Sequence, residues 1–145
     1  MHTPAPLLLT PRDHHALEHL VRTGADQDDA LARALARKLS QVRIVSPDTM
    51  PADIVTLDTR LAFEIDGLHV HERTLVLPQD YVPDGRCISV AALRGLALLG
   101  LKAGQSAAVS HGGRIERLRL MDVLYQPEAE RHIPQPACGR AANDG

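Results

Sequence analysis

The sequence predicts an α+β fold: a short N-terminal antiparallel helical hairpin followed by an antiparallel sheet domain with one helix laid on it. Three observations carry this. Apolar residues recur at helical spacing between residues 12 and 45, then give way to strand-like alternation. Asp66-Gly67 and His111-Gly112-Gly113 supply the residues that tight hairpin turns need. Finally, 145 residues is the length of one ordinary domain, which buries roughly two-thirds of its unfolded surface.

Taken in order, residues 1–11 hold three prolines and read as a loose, flexible lead. Asp13 stands where an N-cap belongs, before a helix with Leu17, Leu20 and Val21 on one face, and Thr23-Gly24 stops it. A second helix starts after Asp26-Gln27-Asp28-Asp29, with a stripe of Leu31, Ala34, Leu35, Leu39 and Val42 near heptad spacing. The hairpin thus occupies 12–45 and the sheet domain 46–129. Within the latter, Ile54 to Leu57 is β-branched and strand-like. Leu61, Phe63 and Ile65 alternate with polar or small residues up to the Asp66-Gly67 turn, and a return strand runs from Leu68 to Leu77. Ser89 is placed to cap a helix through Leu93, Leu96, Ala97 and Leu99, which ends at Gly100. The last hairpin strand, Arg114 towards Tyr125, turns Leu118 and Leu120 inward and Arg117 and Arg119 outward. Residues 130–145 carry prolines without a periodic pattern and read as a disordered tail.

Composition excludes several function classes. Net charge is −2, so the whole molecule is no electrostatic trap for nucleic acid, and no autonomous sequence-specific binding is expected. The aromatic residues are Phe63, Tyr81 and Tyr125, with no Trp, too few for a stacking platform or aromatic cage. Cys87 and Cys138 do not make a disulfide framework, and reduced thiols in a cytoplasmic setting are expected. No signal peptide or membrane-spanning run is evident, so no membrane partner is expected.

Few residues suggest chemistry. His15-Ala16-Leu17-Glu18-His19 matches a two-histidine zinc motif, with both rings on one helix face. It lacks a third ligand and a cleft, so exposed histidines on a solvated helix are the expectation, with no metal and no cofactor. Asp26, Asp28 and Asp29 crowd the hairpin tip, where carboxylates could meet Mg²⁺, or simply cap the second helix and complement its dipole. Arg33, Arg37, Lys38 and Arg43 suit the opposite end of that dipole. Ser89 and Ser110 have no identifiable His–Asp partners, and no catalytic residue is assigned.

One set of motifs goes further. Arg86-Cys87-Ile88-Ser89-Val90 and the run Leu96 to Gln105 resemble the GreA/GreB family of transcription elongation factors. Pro51 to Leu57, Leu75 to Pro78 and Val123 to Ala129 continue the resemblance, which lies nearest the Rnk branch, the regulators of nucleoside diphosphate kinase. It covers roughly residues 12–129. It implies an FKBP-like sheet domain that docks on the rim of the RNA polymerase secondary channel, and a hairpin whose acidic tip, in Gre factors, offers carboxylates to a catalytic Mg²⁺. The positions matching the rim contact are Ala91, Ala92 and Leu93, where Gre factors carry a polar Asp-Ser-Pro type sequence. A second helix of about 14 residues spans only about 21 Å, and Gre hairpins are about twice as long. The tip therefore falls short of the active centre.

The resulting expectation is a monomeric, non-enzymatic RNA polymerase regulator that competes with Gre factors without stimulating transcript cleavage. Its effect on nucleoside diphosphate kinase would be indirect. The alternative, an FKBP-like peptidyl-prolyl isomerase, needs an aromatic-lined cup that three aromatic residues cannot build.

Overall fold

Thr10, not Asp13, starts the first helix. In the computed structural model, which describes residues 7–23, 29–111 and 113–130, α1 spans Pro11–Thr23. The Thr10 Oγ1 accepts the Asp13 N–H at 3.1 Å, and Pro11 fills the first helical position, where a missing N–H is no loss. Asp13 is thereby the third helical residue and turns inward. Leu7–Leu9, within the stretch expected to be a loose lead, form β1. This strand pairs in parallel with β2, Val42–Ile44. Leu9 is fully buried; hiding one leucine is worth about 2 kcal/mol, which fastens an apolar triplet to an available strand edge.

The second helix, α2, spans Asp29–Leu39 and packs on α1. Leu17 of α1 and Leu35 of α2 are fully buried, whereas Val21 is 45% exposed and leaves the face expected for it. Val42, expected to end the helical stripe, instead opens β2.

The main sheet contains β3 (Arg60–Ile65), β4 (Val70–Val76), β5 (Cys87–Ser89), β6 (Ser106–His111) and β7 (Arg114–Tyr125), in the order β5-β4-β3-β7-β6. Three pairings are antiparallel, as expected, but β5 runs parallel to β4. The sheet is therefore mixed. Residues 77–86 return the chain along the β4 edge instead of reversing it in a hairpin. The turn after β3 has Asp66 at φ 54° and Gly67 at φ 72°, the left-handed pair that a two-residue hairpin turn requires. Residues 54–57 form no strand: Ile54 makes an isolated bridge with Lys102. Their apolar side chains report burial rather than pairing, for Val55 and Leu57 are fully buried.

The third helix, α3, is short, Leu93–Leu98, and lies on the sheet with Leu96 and Leu98 in the core. Leu118 and Leu120 join that core while Arg117 and Arg119 stay exposed, the alternation expected of β7. Cys87, expected as a thiol, is disulfide-bonded. Glu130 closes the last described turn, its N–H bonded to the Gln126 carbonyl at 3.0 Å; the rest of the expected tail lies outside the described residues. No helix among the described residues is long and apolar enough to cross a membrane.

Candidate interaction site

Ala91, Ala92 and Leu93 form the turn from β5 into α3. Ser89, expected as the helix cap, ends β5 and governs this turn from below. Its Oγ accepts the Ala91 N–H and its carbonyl accepts the Ala92 N–H, both at 3.0 Å. Ala92 takes the cap position and has no side-chain oxygen to offer the helix. Ala92 is exposed, while Ala91 and Leu93 are half-buried. Gly95 sets how closely α3 approaches, because a Cβ there would run into the Ser89 backbone carbonyl. Arg94 fixes the outer side by a fork onto Glu116 of β7, with Nε to Oε1 at 2.9 Å and Nη2 to Oε2 at 2.7 Å. The turn is a small, firmly seated, largely apolar projection.

Leu93 also lines a groove of about 790 Å³ between α2, α3 and β6. Leu96, Leu101 and Val109 contribute apolar surface, and Arg33, Arg37 and Lys38 contribute charge. Lys38 is only 7% exposed. Its Nζ donates to the Ala97 carbonyl at 3.2 Å, an acceptor in the last turn of α3 where intrahelical partners run out. Burial pushes the Lys38 amine down to about 7. The sequence held a signal for this residue: Leu31, Leu35, Lys38 and Val42 share one heptad-like face. A lysine within an apolar stripe is more than a complement to a helix dipole.

Asp13 is a second buried ionisable group. It is fully buried, with Oδ2 accepting the Leu57 N–H at 3.2 Å and Oδ1 lacking a hydrogen-bond partner. Desolvation raises it to about 7, opposed by the Leu57 hydrogen bond and reinforced by the nearby Glu128 charge. Arg12 pairs with Asp58 at 3.0 Å beside it. Glu128 Oε1 accepts the Thr56 hydroxyl at 2.7 Å. The Asp13 and Arg12 contacts fasten the start of α1 to the sheet domain. Thr10-Pro11-Arg12-Asp13 carried the capping-box spacing that marks Thr10 as the true cap.

Asp26 and Asp28 lie outside the described residues, and Asp29 opens α2. His15 and His19 are exposed on α1, and Glu18 faces His14 instead, at 3.7 Å. Among the described residues no three His, Cys, Asp or Glu side chains gather to hold a metal.

Comparison with known proteins shows what the whole chain is similar to. No family model matches the chain. It is 34% identical over 126 residues to the regulator of nucleoside diphosphate kinase of Escherichia coli strain K12, covering 85% of this chain and 92% of that protein. The protein of the same name from Shigella flexneri matches equally. Among solved structures, the transcription elongation factor GreA/GreB from Nitrosomonas europaea superposes with a TM-score of 0.64 at 28% identity, covering 84% of this chain and 100% of that one.

Proposed function

This chain belongs to the family of the regulator of nucleoside diphosphate kinase, and from that premise we propose that it is a cytoplasmic, non-enzymatic regulator of RNA polymerase. It docks its FKBP-like sheet domain on the rim of the secondary channel and competes there with Gre factors. It does not stimulate transcript cleavage, and its effect on nucleoside diphosphate kinase is indirect. The observation that carries this reading is the likeness to a GreA/GreB factor across that factor's whole length, combined with short helices. The 13 residues of α1 and 11 of α2 give arms of about 20 and 16 Å. The globular part is thus available for docking while the hairpin stays outside the active centre.

The docking face is the Ala91–Leu93 turn. Ala92 is exposed and Leu93 half-buried, so glutamate at either place would set an unpaired charge into a desolvating contact. The loss expected is about 3 kcal/mol, roughly a hundredfold in Kd. The test is capture of core RNA polymerase by the immobilised protein, with and without excess Gre factor, for wild type, Ala92→Glu and Leu93→Glu. Wild-type capture that Gre factor displaces, and that the folded variants lose, supports the reading. Absence of capture overturns it. Full competition by both folded variants moves the docking face elsewhere on the domain.

The isomerase alternative gains no support from these relatives, which are named as regulators and elongation factors.

A further inference from the structure

The groove between α2, α3 and β6 concentrates positive charge in a molecule whose net charge is −2. Arg33, Arg37 and Lys38 all line it, and none of its described lining residues is Asp or Glu. Among the described residues the ion pairs lie elsewhere, and no carboxylate pairs with these three cations. Lys38 adds an observation of a different kind. It is nine-tenths buried yet places one hydrogen bond, to the Ala97 carbonyl, whereas an ammonium group has three donors. In its charged form such a buried amine, with spare donors, is costly unless an acceptor reaches it. The opposite wall offers Ser106 and Ser110, and Leu93, Leu96 and Val109 supply apolar surface. At about 790 Å³ the groove is far larger than one inorganic anion, and its size is that of a small-molecule pocket.

We propose that this groove binds a small organic phosphate. Arg33, Arg37 and Lys38 hold the phosphoryl end, and the apolar or planar body lies on Leu93, Leu96 and Val109. Paired guanidinium forks match phosphate oxygens bidentately, and a lysine supplies a point charge between them. A phosphoryl dianion beside Lys38 favours the charged amine, whose other charged neighbours among the described groove residues are Arg33 and Arg37. Binding near pH 8 therefore takes up a proton. The proposal concerns the isolated chain and stands or falls separately from polymerase docking.

Isothermal titration of the full chain with ADP, pyrophosphate and adenosine tests it. ADP is expected to bind, pyrophosphate to bind more weakly, and adenosine not to bind. At pH 8, heats measured in buffers of different ionisation enthalpy should reveal proton uptake on ADP binding, and Lys38→Met should abolish that uptake. The same variant should lower ADP affinity at least about tenfold, as should Arg33→Glu with Arg37→Glu. Both arginines are exposed, so the double variant keeps the test valid if Lys38→Met does not fold. Failure of ADP and pyrophosphate to bind overturns the proposal, as does ADP binding that the folded variants leave unchanged. Binding of polyglutamate with ADP silent would assign the groove to an acidic protein segment, and would overturn it too.

Discussion

Asp13 and Lys38 place an acid and a base in the interior, and each affects stability in its own pH range. Asp13 is raised from 3.8 to about 7 by burial. Between those values the folded chain holds a proton that the unfolded chain has released, so stability falls as pH rises from about 4 to about 7. Lys38 is lowered from 10.5 to about 7. Between those values the unfolded chain holds the extra proton, and stability rises with pH. Together the two groups put a minimum near neutrality, each limb having a limiting slope of about 1.4 kcal/mol per pH unit. Urea midpoints measured at several pH values should show it. Asp13→Asn still accepts the Leu57 N–H and should flatten the acid limb, while Lys38→Met should flatten the alkaline one. Parallel pH profiles for wild type and both variants would refute these assignments.

At the scale of elements, α3 shows what was legible in the sequence and what was not. The apolar spacing of Leu93, Leu96 and Ala97 predicts a helix, and local spacing alone offers Ser89 as its cap. The structure gives Ser89 to β5 because residues 77–86 return that strand parallel to β4, a long-range choice that local spacing does not encode. Residues 54–57 failed for a related reason. Their β-branched side chains signalled burial, and whether a strand partner stands alongside is decided by tertiary packing. The Asp66-Gly67 turn and the alternation in β7 were legible because each rests on local backbone chemistry. Of the candidate site, the Ala91–Leu93 turn came from family resemblance alone. Lys38 and Thr10 had sequence signals that simpler readings concealed. Gly95 had none, because its importance lies in contact with the Ser89 carbonyl. Gly95→Ala should cost about 3 kcal/mol, the upper end for overpacking, since backbone rather than a flexible side chain must yield. Thermal or urea denaturation measures it, and a loss below about 0.5 kcal/mol would show that α3 lifts freely off β5.

For the whole molecule the question is how work is divided between the sheet domain and the far end of the helical arms. Contacts at Asp13 and Arg12 hold α1 against the domain, so arms of about 20 and 16 Å are fixed in direction as well as reach. Under the proposed docking, such arms leave Asp26, Asp28 and Asp29 short of the polymerase active centre, where their charge acts only at a distance. Replacing all three with Asn keeps side chains able to cap α2, so folding should survive. Transcript cleavage should be absent with wild type and variant alike, and competition with Gre factors should persist. A modest change in affinity should shrink between about 0.05 and 0.5 M salt, as screening shortens the range of exposed charges to a few ångströms. A cleavage assay on stalled elongation complexes, run beside competition binding at both salt concentrations, separates the outcomes. Cleavage stimulated by wild type and lost in the triple variant would mean that the tip reaches the metal. The short arms would then have to be carried inward by a docking site deeper than the channel rim.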